Sequence, residues 1–147
     1  MSEEDDAIDW RMFLPSYVHA ISKDIACRSS DVLGHYGLKA CHLPYLVILI
    51  QKGSATMREL TEQTGTDKAN TTRVILELRE KGIVADDRKE PNSRKYKVFL
   101  TAKGKEIVKK SRKEFESSIN DLFSSLTEEE LEVLIKIMKK TKESLNK

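Results

Sequence analysis

Apolar residues recur at helical spacing near the start of the chain: Trp10, Phe13, Leu14, Tyr17, Val18, Ile21 and Ile25. This period predicts a long first helix over about residues 8–30, in which Pro15 should kink or restart the helix. Residues 30–40 hold two glycines and predict a loop or a short broken helix. The nearly all-apolar run over residues 42–51 then predicts a second helix that is buried on most of its sides.

The next two predicted helices carry their own start signals. Thr56 and Glu59 match a capping box, in which each side chain accepts the other's backbone N–H, ahead of a helix over residues 57–64. Asp67 is placed to cap a second helix that runs to Lys81. Because a glycine between the two helices permits a tight turn, they predict a helix-turn-helix, whose second helix enters the major groove of DNA.

Beyond these helices the apolar period changes to two. Residues 83–87 and 95–100 predict two antiparallel strands, and the polar residues 88–94 between them predict a turn with a basic tip. Such a hairpin is a wing. Thr101 is then placed to cap a long helix, and a last helix begins at a second capping box at Thr127.

Together these elements predict a mainly α, α+β winged-helix fold. The winged helix-turn-helix occupies residues 42–101, and the flanking helices over residues 8–30 and 102–147 have apolar stripes too large for such a small domain to cover. We therefore expect N- and C-terminal dimerisation helices and a homodimer, with residues 1–147 forming a single domain.

Composition narrows the class of protein. The longest apolar run, residues 43–50, is far below the roughly 20 residues of a membrane span, and the acidic start resembles no secretory signal. These features predict a cytoplasmic protein without membrane contact. The sequence has no Gly-rich phosphate loop, nucleophile elbow or HExxH motif, and its three histidines lack patterned acidic partners, which argues against an enzyme.

Charge is distributed unevenly along the chain, although the net charge is only +2. Residues 88–113 contain eleven basic and two acidic residues. A lysine run by itself is usually a solvated helix face. Here the run includes the predicted wing, and that position favours contact with a polyanion such as DNA.

The helix predicted to read DNA has two faces. Its core stripe consists of Thr71, Val74, Ile75 and Leu78. The residues expected to contact DNA on the other side are Lys68, Ala69, Asn70, Thr72 and Arg73. Asparagine pairs naturally with adenine and arginine with guanine, while Lys68 and the N-terminal amides of the helix would hold phosphate. The alternative is that these are ordinary solvent-facing residues.

The wing supplies the second half of the predicted DNA contact, at Arg88, Lys89, Asn92, Ser93, Arg94 and Lys95. The hairpin can lie along the phosphate backbone, and we expect Arg94 to enter the minor groove, where the negative potential of narrow A-tracts is strongest. A winged helix that docks protein instead of DNA is the rival interpretation, because the fold serves both uses. The alignment of Arg73, Arg88 and Arg94 with a basic strand favours DNA.

Four runs of residues resemble motifs of the MarR family of transcriptional regulators: Asp67-Lys68-Ala69-Asn70-Thr71-Thr72-Arg73, Glu80-Lys81-Gly82-Ile83-Val84, Asn92-Ser93-Arg94 and Leu100-Thr101-Ala102-Lys103-Gly104. The resemblance covers nearly the whole chain. It implies a triangular dimer whose terminal helices intertwine and hold two winged domains over a pseudo-palindromic operator. It also implies a repressor whose DNA affinity is set by a small molecule, a metal or thiol oxidation.

The wing departs from the family's pattern at three positions. Asn92 stands where many members have an aspartate, and an amide accepts a hydrogen bond but cannot form an ion pair. Asp86 and Asp87 stand where arginines are common, so the base of the wing should repel phosphate. We therefore expect a more weakly anchored wing, with its basic charge moved to the tip.

The signal to which such a regulator responds stays open in the sequence. Cys27 and Cys41 predict either a redox switch or two buried small hydrophobic residues, and burial is the commoner use of a free cysteine. Zinc-type ligands also occur in this part of the chain: Asp24, Cys27, His35, Cys41 and His42. Their spacing matches no compact zinc site, so no metal or other cofactor is assigned. A small-molecule effector is implied by the resemblance alone, and these patterns encode neither the operator sequence nor the direction of regulation.

Overall fold

The computed structural model describes residues 3–145, and the side chains of residues 9–145. Its elements follow in this order: α1 (Glu3–Gly34), a single 3-10 turn (Ala40–His42), α2 (Leu43–Lys52), β1 (Ser54–Ala55), α3 (Met57–Thr64), α4 (Lys68–Glu80), β2 (Val84–Asp86), β3 (Val98–Leu100), α5 (Ala102–Leu122) and α6 (Glu128–Leu145). The prediction of a mainly α winged helix is confirmed. Across the described residues, no helix combines the length and the apolar character that crossing a membrane requires.

The first helix runs without interruption through two features that were expected to break it. Pro15 lies inside α1 and is exposed, so water can reach the carbonyl group that proline leaves without a backbone donor. The predicted loop or short broken helix over residues 30–40 begins later than expected, because α1 continues without a break to Gly34. Val32 and Leu33 are only 6% and 2% exposed, and their burial in the core stabilises this last turn.

Helices α3 and α4 form the helix-turn-helix. The predicted capping box is present: Thr56 Oγ1 accepts the Glu59 N–H at 3.1 Å, and Glu59 Oε1 accepts the Thr56 N–H at 3.4 Å. Gly65 closes α3 with a φ of 71°, in the left-handed region. Asp67 caps α4 by accepting the Asn70 N–H at 2.7 Å. The predicted core stripe of α4 is buried: Thr71, Val74, Ile75 and Leu78.

The sheet has three antiparallel strands in the order β1-β3-β2, one more than the sequence predicts. Strands β2 and β3 are shorter than expected and pair with Ala85 opposite Phe99. Strand β1 has two residues and pairs with the other edge of β3. A segment this short shows no alternation of apolar and polar residues, so its sequence could not reveal a strand. Pairing with β1 joins the wing to the segment that leads into α3.

Helix α5 begins against the backbone that follows α4. Thr101 caps α5 by accepting the Gly104 N–H at 3.0 Å, and its own N–H donates to the Ile83 carbonyl at 3.0 Å. A Cβ atom at Gly104 would lie 3.1 Å from the Ile83 carbonyl carbon and closer still to its oxygen. The close approach of α5 to this peptide therefore requires glycine at position 104.

Farther along, α5 packs against the end of α1. Arg28 Nη1 donates to the Ser118 carbonyl at 2.6 Å. The Glu114 carboxylate accepts from the Tyr36 hydroxyl at 2.8 Å and lies 2.9 Å from His35 Nδ1. These contacts hold the end of α1 and the segment that follows it against α5.

Helices α1 and α6 leave many large apolar side chains exposed to solvent. On α1 these are Trp10, Met12, Phe13, Leu14, Tyr17, Val18 and Ile21, and on α6 they are Val133, Ile135, Ile137, Met138 and Leu145. So many exposed large apolar side chains on two helices are uncommon on a monomeric protein.

Candidate nucleic-acid interface

The outer face of α4 carries the residues that the sequence assigns to DNA. Lys68, Ala69, Thr72 and Arg73 are exposed, and Asn70 is half-buried. The helix presents its N-terminal amides on the same end as Lys68, and both favour an anion. Four of the five predicted residues are therefore accessible to a ligand as they stand.

Asn70 differs from the other four because its side-chain amide is already engaged. Asn70 Nδ2 donates to the Tyr45 hydroxyl at 3.2 Å, and Asn70 Oδ1 accepts from Arg73 Nη2 at 2.6 Å. Reading an adenine edge requires both of these groups. In this arrangement Asn70 supports Arg73, and its amide keeps one N–H group and one oxygen lone pair for a further contact.

Arg73 is held from two sides but keeps free donors. Its Nη1 donates to Glu77 Oε1 at 3.0 Å, in addition to the bond from Nη2 to Asn70. A guanidinium has five N–H groups, so three remain, and a bidentate contact with guanine needs two.

The wing is organised around Arg88. The guanidinium carbon of Arg88 lies 3.8 Å from the centroid of the Tyr96 ring, and Nη1 donates to the Pro91 carbonyl at 3.1 Å. Its Nη2 lies 3.7 Å from Asp86 Oδ2, and its side chain is 23% exposed. Arg88, predicted as a DNA contact, thus lies inside the wing and makes a cation–π contact that stabilises the hairpin.

The acidic residues at the base of the wing have partners of their own. Asp86 pairs with Arg79 and Arg88, and it also accepts the Arg88 N–H at 3.0 Å. Asp87 accepts the Lys97 N–H at 2.6 Å. The Asp87 bond ties the two sides of the hairpin together beyond the last paired residues, and Asp86 joins the wing to α4 through Arg79. In this chain the anchoring aspartates are therefore Asp86 and Asp87 at the base of the wing, whereas the family pattern has its aspartate at the position of Asn92.

The tip of the wing carries the accessible charge. Lys89, Asn92, Arg94 and Lys95 are exposed, and Ser93 is half-buried. Within the part of the chain that the structure describes, the Arg94 side chain has no hydrogen-bond or ion-pair partner. It is therefore free to contact an anion.

An open groove of about 820 Å³ lies between α3, the start of α4 and the wing. The predicted residues Lys68 and Thr72 line it on one side, and Arg88, Asn92, Ser93 and Arg94 line it on the other. The fold thus brings the two halves of the predicted site together around one space, with a cation on each side. Such a groove can hold a phosphate backbone.

The two cysteines lie outside this groove. Both are exposed free thiols, so the expectation that they are buried hydrophobic residues is wrong. Cys27 lies on α1, and Cys41 lies in the 3-10 turn directly before α2. Exposure makes both thiols accessible to oxidants.

Of the residues with metal-binding chemistry, the structure brings together Cys41, His42 and Glu77, with ligand atoms within 4.8 Å of one another. His42 is fully buried; its Nδ1 accepts the Lys39 N–H at 3.0 Å, and its Nε2 lies 2.8 Å from Glu77 Oε2. Since Nδ1 is an acceptor, Nε2 carries the proton and donates it to the carboxylate. A metal bound at Nε2 would displace that hydrogen to Nδ1. Nδ1 would then be a donor facing the Lys39 N–H, which is also a donor, and the hydrogen bond between them would be lost. The cluster is built as a hydrogen-bonded network.

Other members of the predicted zinc-type set are engaged elsewhere. Asp24 pairs with Arg28 at 2.6 Å, and His35 contacts Glu114. Glu77, by contrast, was not among the predicted site residues. The hydrogen bond from His42 keeps the pKa of Glu77 below its ordinary value, and the charge of Lys39 and the contact with Arg73 act in the same direction.

Sequence reasoning missed Glu77, Tyr45 and Tyr96. Glu77 follows Arg73 by four residues on one helix, and that spacing is a readable signal for a side-chain pair. No sequence signal marks Tyr45 or Tyr96, because the contacts of Tyr45 with Asn70 and of Tyr96 with Arg88 depend on how α2 and the hairpin are placed.

Comparisons of sequence point to transcriptional regulators. A family model described as the sugar-specific transcriptional regulator TrmB matches residues 33–102. The HTH-type transcriptional regulator YdgJ of Bacillus subtilis (strain 168) is 27% identical over 110 residues, covering 75% of this chain and 67% of that protein. The HTH-type transcriptional regulator SarZ of Staphylococcus epidermidis is 26% identical over 114 residues, covering 78% of this chain and 76% of that protein.

Solved structures show the same architecture. A MarR transcriptional regulator from Methanosarcina mazei Go1 matches with a TM-score of 0.79 and 24% identity, over 92% of this chain and 98% of that one. A mutant MarR from Escherichia coli, complexed with operator DNA, matches with a TM-score of 0.75 and 21% identity, over 96% of this chain and 99% of that one. A MarR family protein from Bacillus stearothermophilus matches with a TM-score of 0.76 and 21% identity, over 100% and 99% of the two chains. The chain therefore has the winged-helix fold of the MarR transcriptional regulators.

Proposed function

We propose that the protein is a sequence-specific transcriptional regulator that binds double-stranded DNA through α4 and the wing. The groove between them carries this proposal, because Lys68 and Arg94 line one space from opposite sides. Two such cations can neutralise phosphates of the DNA backbone, while the exposed face of α4 presents Arg73 to base edges. The operator DNA bound by the Escherichia coli MarR mutant and the HTH-type names of the sequence relatives support the same role.

Salt dependence of duplex binding tests this proposal. We expect log Kd to change steeply with log salt, by about 0.9 for each phosphate that the protein neutralises. Selection of bound duplexes from a random-sequence library should then yield a single preferred operator. Binding that is insensitive to salt would contradict the proposal, and a winged helix that docks protein instead would retain no duplex at all.

The proposed functional unit is a homodimer, with residues 8–30 and 102–147 as the dimerisation helices and residues 42–101 as the DNA-binding part. The exposed apolar side chains of α1 and α6 support this arrangement. A second copy that covers them would remove apolar surface from water, at about 25 cal/mol per Å². Twofold symmetry would place two α4 helices over the two halves of a pseudo-palindromic operator. Sedimentation at micromolar concentration tests the dimer, and a monomer there would refute it.

We further propose that the protein is a repressor, without enzymatic activity, that acts in the cytoplasm and is released from its operator by a small-molecule effector. A cleft of about 430 Å³ between the end of α1 and α5 supports an effector, and its polar lining consists of Lys113, Glu114, Ser117, Ser118 and Asp121. A library of small organic molecules, screened for release of the selected operator, tests this part. If no compound releases the operator or shifts the melting temperature, the effector proposal fails while DNA binding stands.

Thiol oxidation is the second candidate for the signal, and the exposure of Cys27 and Cys41 favours it. On this proposal, peroxide releases the operator from the native protein, and serine in place of the responsible cysteine prevents the release. Thiol chemistry would be excluded as the signal if both single serine variants and the double variant released DNA as the native protein does.

A further inference from the structure

A chain of hydrogen bonds connects two buried side chains to the exposed Arg73. We name it the Arg73 brace, and its members are His42, Glu77, Arg73, Asn70 and Tyr45. On one side, His42 Nε2 donates to Glu77 Oε2 at 2.8 Å, and Glu77 Oε1 accepts from Arg73 Nη1 at 3.0 Å. On the other side, Arg73 Nη2 donates to Asn70 Oδ1 at 2.6 Å, and Asn70 Nδ2 donates to the Tyr45 hydroxyl at 3.2 Å.

Both ends of the Arg73 brace are fixed in the core. His42 is 0% exposed and Tyr45 is 1% exposed. Tyr45 is further held by the hydroxyl of Thr66 at 2.7 Å, and His42 by the Lys39 N–H at 3.0 Å. A side chain bonded to such fixed groups has little rotational freedom left to lose when it binds a ligand.

Other ion pairs of the same spacing lack this support. Arg58 pairs with Glu62 at 3.0 Å and Arg112 with Glu116 at 2.9 Å, both on exposed helix surface. Among the described residues neither of these carboxylates has a partner in the core. Exposed pairs of this kind contribute little and leave both side chains mobile. Glu77 is different because one of its oxygens is bonded to a buried histidine.

We propose that Glu77 is a specificity-determining positioning residue: bonded through Oε2 to His42 and through Oε1 to Arg73, it holds the guanidinium in the orientation that reads a base. This inference rests on the proposed DNA-binding function. The brace uses two of the five N–H groups of Arg73 and leaves three, enough for a bidentate contact with guanine. Glu77 acts through Arg73 and need not touch DNA itself.

The test uses the full-length protein and compares base preferences of four variants. Glu77→Gln preserves side-chain volume but leaves one oxygen acceptor for two donors, His42 Nε2 and Arg73 Nη1, so the amide N–H groups face one of them and the link between them is broken. Arg73→Ala and the Arg73→Ala/Glu77→Gln double variant complete the cycle, and Glu116→Gln is the matched control. Each variant is titrated against the operator selected with the native protein and against operators with each base pair replaced in turn.

Arg73→Ala is expected to abolish the preference at one base pair. Glu77→Gln should weaken the preference at that same base pair by about two- to tenfold, the range that ordering one long side chain accounts for. The double variant should lose no more than Arg73→Ala alone, and Glu116→Gln should keep the native preferences. If Glu77→Gln does not fold, Glu77→Asp replaces it, because the shorter carboxylate cannot reach both partners.

Two results for the Glu77 variant would overturn the inference and leave the proposed function valid. One is the native set of base preferences, and the other is an equal loss of affinity for every operator tested. Additive losses in the double variant would likewise show that Glu77 does not act through Arg73. Failure of the native protein to bind any duplex is a different result, and it would remove the proposed function together with the inference.

Discussion

The two arginines that flank the tip of the wing should respond differently to removal. Arg94 is exposed, and in the described residues its side chain has no partner, so Arg94→Ala should remove one DNA contact from each wing. The slope of log Kd against log salt should then fall by about 0.9 per wing, or about 1.8 for the proposed dimer. Because of that smaller slope, the ratio of the Kd of Arg94→Ala to the native Kd should decrease by about tenfold as the salt concentration rises from roughly 50 to 200 mM.

Arg88→Ala should weaken DNA binding by a different route. The cation–π contact with Tyr96 at 3.8 Å is lost, which costs about 1–2 kcal/mol in the stability of the hairpin. Asp86 loses one partner but keeps Arg79. Since Arg88 is held by Tyr96, the Pro91 carbonyl and Asp86 and does not project from the tip, its removal should change the slope less than Arg94→Ala does.

Fluorescence anisotropy with a labelled operator duplex at four salt concentrations separates the two effects. Lys81→Ala at the C-terminal end of α4 is the control, because it also removes one exposed cation but lies outside both the groove and the proposed dimerisation helices. Thermal unfolding of each variant shows whether the protein itself is intact. If Arg94→Ala keeps the native slope, or if Arg88→Ala changes the slope as much as Arg94→Ala does, then Arg94 is not the freer of the two arginines and the reasoning fails.

Three further outcomes follow from the packing. Gly104→Ala should lower the free energy of unfolding by about 2–4 kcal/mol, because its Cβ would clash with the Ile83 peptide, and chemical denaturation measures this loss. The hydrogen bond from His35 lowers the pKa of Glu114, so its stabilising contribution is present above the ordinary glutamate pKa and is lost as the pH falls through the lowered value. Glu114→Gln should therefore lose less stability on acidification from about pH 5 to pH 3 than the native protein loses, and equal acid curves would exclude this contact as a cause. Phe13→Glu should shift the proposed dimer to monomer in sedimentation while a monomeric chain keeps its helical circular dichroism, and a variant that stays dimeric would place the interface elsewhere.

Local signals in the sequence were sufficient for the helix-turn-helix. A capping side chain and the amide that it satisfies lie within three residues of each other, as Thr56 and Asp67 show, so no distant contact is needed to place a helix start. The buried stripe of α4 followed from the helical period for the same reason. The alternation of β3 and the basic tip of the wing were equally readable, and with them the two sides of the proposed DNA groove.

Only the tertiary structure decided which of the polar residues are free to act. Arg88 and Arg94 are the same amino acid in the same turn, yet Tyr96 and Asp86 occupy the first and leave the second exposed. The amide of Asn70 is engaged by Tyr45, 25 residues away along the chain. The last turn of α1 and the short strand β1 likewise exist because distant partners bury or pair them. Helical periodicity and capping motifs depend on contacts between residues that are close in sequence, so the sequence alone predicts them. Whether a side chain is free to bind a ligand depends on contacts with residues that are distant in sequence and that only folding brings close.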